Sequence, residues 1–86
     1  MDMTEIPAVD PDVVAERIRI LHAESGLTKG AYAKHVGTSY QSLFLWLNGY
    51  RVPTFQSLYR ISRQSRVSIP WLLGEVPIGE RGEDEL

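Results

Sequence analysis

Five short polar residues, Asp10, Thr28, Ser39, Thr54 and Ser68, each precede a run of helical turns, and Gly26, Gly37, Gly49 and Gly74 close four of those runs. Hydroxyl and carboxylate oxygens accept hydrogen bonds from the unpaired amides at a helix start, and glycine adopts the left-handed conformation that ends a helix. Punctuation this dense confines the chain to short helices. No segment sustains the period-two alternation of a strand, so the expected fold is all-α, with five helices in a compact domain.

The first helix starts at Asp10-Pro11-Asp12 and shows an apolar face of Val14, Ile18 and Leu21. Aspartate caps, proline suits the first helical position, and early acids favour the helix dipole. The second helix runs from Thr28 through Val36 with Tyr32, Ala33 and Val36 inward, and the third from Tyr40 to Asn48 with Leu43 and Trp46 one turn apart on its inner face. Residues 50–53, Tyr-Arg-Val-Pro, form a loop because proline disfavours helix in the residue before it. A fourth helix carries Phe55, Leu58 and Ile61, and a short fifth contains Trp71, Leu72 and Leu73. Residues 1–9 read as a flexible acidic arm, 10–74 as the folded domain and 75–86 as a disordered acidic tail.

A chain without cysteine excludes disulfides, thiolate metal sites and cysteine nucleophiles, and its 86 residues must fold on apolar packing alone. His22 and His35 stand far apart without a carboxylate cluster, so no metal site is expected. No nucleophile has a neighbouring base and no glycine-rich phosphate loop is present, which argues against an enzyme and implies no cofactor. Apolar runs fall short of the roughly 18 residues of a membrane span, and the acidic start is unlike a signal peptide. A cytoplasmic protein without membrane attachment is the expectation.

The formal net charge of −2 conceals a sharp segregation. Residues 13–74 hold eight basic residues, Arg17, Arg19, Lys29, Lys34, Arg51, Arg60, Arg63 and Arg66, against Glu16 and Glu24, a local excess of +6 between two acidic ends. A field of that sign attracts phosphate.

Two short helices joined at Gly37, the second opening on a serine cap, describe a helix-turn-helix. Tyr32, Val36, Leu43 and Trp46 supply the contacts between the crossing helices, Ala33 is small where their axes approach, and Gly37 permits the turn. At these residues the chain resembles the lambda-repressor/Cro-like (XRE) helix-turn-helix domains. The likeness covers residues 14–74 and is most specific at Val36-Gly37-Thr38-Ser39-Tyr40-Gln41-Ser42-Leu43, Trp46, Asn48-Gly49 and Pro53, with support from Ser68-Ile69-Pro70-Trp71-Leu72-Leu73-Gly74.

The resemblance implies a sequence-specific transcriptional regulator, a repressor of phage or bacterial type, that binds double-stranded DNA as a homodimer. In this family the third helix enters the major groove. By position, Tyr40, Gln41 and Leu45 would face bases, while Thr28, Lys29, Ser39, Ser42 and Asn48 match phosphate-contacting positions, with Arg51 a further candidate.

The third helix departs from the family pattern. If only Leu43 and Trp46 face the core, Phe44, Leu45 and Leu47 lie outward. Three explanations stay open: apolar contacts to thymine methyls, chiefly by Leu45; a dimer or partner surface using Phe44, Leu47 and Tyr50; or a rotated helix that buries more. The second would make the domain a protein-interaction module, an antitoxin or co-regulator docking through its third helix. Ile69, Trp71 and Leu72 are further candidates for a dimer contact. Two smaller departures are Gly30 inside the second helix and Arg66 where glycine or asparagine is usual after the fourth.

Overall fold

The computed structural model describes residues 9–82. Its elements are α1 (Pro11–Ser25), α2 (Lys29–His35), α3 (Tyr40–Leu47), α4 (Phe55–Ser65) and α5 (Ile69–Leu72), with no strand among the described residues. Each helix opens on its expected cap: Asp10 accepts from the Asp12 amide, Thr28 from Ala31, Ser39 from Ser42, Thr54 from Ser57 and Ser68 from Trp71. A cap of this kind is worth about 1 kcal/mol, which matters for helices this short.

Gly37, at φ 76°, turns the chain between α2 and α3. A Cβ there would also meet the Arg60 side chain at 3.3 Å, so both conformation and space favour glycine. Arg66 is the exception among the stops. It closes α4 in the left-handed region at φ 59°, ψ 44°, so the turn keeps a glycine-like geometry with an arginine in it. A β-carbon costs about 1–2 kcal/mol there, while glycine's extra freedom in the unfolded chain offsets about 0.5–1 kcal/mol. Arg66→Gly is therefore expected to raise stability by roughly 0.5 kcal/mol, read as a higher urea midpoint at constant slope. A lower midpoint would contradict this.

The core is assembled around α1, which packs against α2, α3 and α5, while α4 closes on α5. Val14, Ile18, Leu43, Ile61, Val67, Trp71 and Leu72 are essentially inaccessible to solvent. Several expectations are corrected here. Trp71 and Leu72 lie wholly within this core, so they are not a dimer surface, and of that trio only Ile69 is partly exposed. Leu47 is 6% exposed and is not an outward residue. It completes an i, i+3, i+4 stripe with Leu43 and Trp46, a rotation that buries three residues of α3 instead of two. Phe55 is 70% exposed, because it begins α4 ahead of the buried stripe of Leu58, Ile61 and Ser62.

The chain does not leave the domain at Gly74. Residues 75–82 fold back over α1 and α5, contrary to the expected disorder of that stretch. Arg17, buried in α1, donates to the carbonyls of Trp71 at 2.9 Å and Val76 at 3.0 Å, and the Trp71 indole donates to the Ile78 carbonyl at 2.7 Å. The guanidinium groups of Arg17 and Arg81 lie 5.0 and 5.2 Å from the Trp71 ring centroid. Arg81 also forms a bidentate pair with Glu24, and these hydrogen bonds hold the Glu24 carboxyl below its ordinary value. Acidic composition suggested a solvated tail, but Val76 and the indole and guanidinium partners anchor it. Residues 1–8 of the expected arm at 1–9, and the last residues, 83–86, lie outside the described residues.

Candidate nucleic-acid interface

Burial of Leu43, Trp46 and Leu47 turns Tyr40, Gln41, Phe44 and Leu45 to the opposite side of α3. These four line a shallow depression of about 440 Å³. Tyr40, Gln41 and Phe44 are exposed and Leu45 is half-buried. The Phe44 ring leans on Tyr50 at 6.4 Å between centroids, and Tyr50 itself is 72% exposed. No residue of α3 carries a charge, although the surrounding segment is strongly basic.

The expected backbone-contacting side chains flank this face, and several are already engaged within the domain. Thr28 and Ser39 each accept an amide hydrogen bond at 3.2 and 3.1 Å, and the Ser39 hydroxyl donates to that of Ser42 at 3.1 Å. A capping hydroxyl uses its oxygen, so the protons of Thr28 and Ser42 remain available to an anionic acceptor. Asn48 donates to the Phe44 carbonyl at 2.8 Å, closing the last turn of α3. An oxygen cannot donate to phosphate, so the second amide proton is what Asn48 retains for that role. Lys29 and Arg51 are exposed. Gly30 has open space around a notional Cβ, so no close approach explains it.

Sequence reading missed the two residues that fix α3 in place. Arg19, from α1, donates to the Leu47 carbonyl at 2.6 Å and so caps the C-terminal end of α3, while Arg60, from α4, donates to the Gly37 carbonyl at 3.1 Å in the turn that precedes it. Arginine satisfies carbonyls that a helix end or turn leaves unpaired. Arg60, which the sequence shows only as part of the basic excess, locks this turn. Tyr32 anchors α2 beneath this turn, its ring tilted against His22 and His35. Burial pushes its phenol above the ordinary value. Ser65 lies near enough to oppose part of that shift, yet the hydroxyl makes no hydrogen bond of acceptable geometry.

Capped helices α2 and α3 meeting at a left-handed glycine, within a five-helix domain, define a helix-turn-helix protein. A family model for helix-turn-helix domains matches residues 17–72, and the chain belongs to that family, the lambda repressor/Cro-like XRE domains, which are DNA-binding transcription regulators. Comparisons with curated proteins and with solved structures return no match. No helix among the described residues is long and apolar enough to cross a membrane. Among the same residues no group of histidine, aspartate and glutamate is placed to hold a metal ion.

Proposed function

We infer that this domain is a sequence-specific transcriptional regulator of repressor type, from a bacterium or phage, acting in the cytoplasm by occupying an operator. In this reading α3 enters the major groove with Tyr40, Gln41 and Leu45 on base edges. Thr28, Lys29, Ser42, Asn48 and Arg51 hold the phosphates on either side, and Ser39, its hydroxyl proton committed to Ser42, positions the start of α3 instead. The observation that carries it is the orientation of α3: its core stripe faces α1 and α2, both its ends are tied by arginines from other helices, and its outward face is left clear. A rigid, pre-positioned helix loses little entropy on binding. One small domain offers limited contact area, so two copies on half-sites about 34 Å apart are expected.

Gln41 supplies the sharpest test. Its exposed amide matches the adenine N6 and N7 pair, worth about 1–3 kcal/mol of discrimination. Gln41→Ala should lose about 10-fold or more at one base pair in each half-site while leaving preference elsewhere intact, measured by competition among single-base variants of the bound site. An unchanged preference profile would remove Gln41 from base reading.

A second reading is favoured by one observation, the exposed Phe44–Tyr50 ring pair. In it the helix-turn-helix is a protein-interaction module and α3 docks a partner. Binding of that kind is nearly independent of salt, whereas phosphate contact weakens steeply with it.

A further inference from the structure

Each polar group on the outward side of α3 has a limited capacity to read bases. Asn48 spends one amide proton on the Phe44 carbonyl, and Ser39 spends its hydroxyl on Ser42. Gln41 is the one side chain of the depression with both an amide donor and an amide acceptor, beside the Tyr40 hydroxyl. The remaining walls, Phe44 and Leu45, are hydrocarbon, and with Leu47 in the core the apolar outer surface of α3 narrows to these two residues next to Gln41.

Resting on the DNA-binding reading, we propose that Phe44 and Leu45 are specificity residues that recognise the C5-methyl group of a thymine adjacent to the base pair met by Gln41. The major-groove edges of the four base pairs present donors, acceptors and one apolar feature, the thymine methyl. A hydrocarbon wall set against any other edge would desolvate a donor or acceptor without pairing it, which is unfavourable. Set against the methyl, it removes apolar surface from water on both sides. The Phe44 ring lies 6.4 Å from that of Tyr50 and the Leu45 side chain is half-buried, so each covers part of its apolar surface on the protein and offers the rest outward. Lys29 and Arg51, both exposed, supply the charge that an uncharged recognition helix lacks.

The experiment uses the full chain and the duplex it enriches from a random pool, with each thymine of the half-site replaced in turn by deoxyuridine. Uracil pairs identically and lacks only the methyl. At one thymine in each half-site the replacement is expected to weaken binding about fourfold, the worth of one buried methyl. Leu45→Ala and, separately, the exposed Phe44→Ala are expected to bind thymine and uracil duplexes alike. If every uracil substitution changes affinity by less than about 1.5-fold while the enriched motif is still bound, the methyl assignment fails and the DNA-binding reading stands. A uracil penalty that persists undiminished in both variants also overturns it. If no motif is enriched, the parent reading fails with it, and the Phe44–Tyr50 surface is left as a protein contact.

Discussion

Trp71→Ala is expected to remove about 3–5 kcal/mol of stability, the cost of truncating a large aromatic in a close-packed core. A chain of 86 residues has a total stability on the order of 4–13 kcal/mol, so the variant should lose about a quarter of it or more and denature at a much lower urea concentration. The position magnifies the loss. Trp71 is wholly buried, its indole donates to Ile78, its carbonyl accepts from Arg17, and its ring lies beneath two guanidinium groups. Removing the ring leaves Arg17 buried without its aromatic neighbour and frees the 75–82 segment at its centre. Trp71→Phe keeps most of the volume and lacks the indole donor, so it should cost less and loosen mainly the segment that carries Ile78. Denaturation followed by circular dichroism checks the first variant, and amide exchange at Ser68, whose N–H donates to the Arg81 carbonyl, checks the second. A loss below 1 kcal/mol for Trp71→Ala would mean that the C-terminal segment contributes little to the fold.

The second large effect concerns DNA. Lys29→Gln combined with Arg51→Gln is expected to weaken DNA binding by roughly 10²-fold per subunit at about 0.1 M salt, because each lost phosphate contact forfeits about one decade of counterion-release free energy. The slope of log affinity against log salt should fall by about two per subunit, and the preference among sequences should hardly move. Both residues are exposed and lie outside the core, so folding should be preserved. A uniform loss with a shallower salt slope identifies phosphate contacts. An unchanged slope would place Lys29 and Arg51 away from the backbone and leave the +6 excess as a solvated surface.

Much of this architecture was legible because it is local. A cap needs only its own hydroxyl or carboxylate oxygen and an amide two or three residues on, so Asp10, Thr28, Ser39, Thr54 and Ser68 mark the five helix starts of the described residues. Gly37 and its apolar partners marked the helix-turn-helix for the same reason. The burial of Leu47 is one of the three readings that the sequence of α3 leaves open, because no local pattern says whether α1 and α2 cover two residues of its face or three. Arg19 and Arg60 meet carbonyls 28 and 23 positions away, and no local pattern records such a meeting. The 75–82 segment carries acids that suggest solvation, yet its placement is decided by backbone carbonyls offered to Arg17 and Trp71, which composition does not register. At the candidate interface, the residue types of α3 were readable, whereas the narrowing of its apolar surface to Phe44 and Leu45 became visible only with the core in place.

The most direct test of the central claim is to titrate the full chain into a pool of random duplex DNA at about 50 and 200 mM salt and sequence what is retained. The account predicts one enriched motif with two-fold symmetry, half-sites about one helical turn apart, and an affinity that falls by about 10³-fold or more between the two salts if six or more phosphates are contacted across the dimer. Retention without an enriched motif, or binding indifferent to salt, would contradict it.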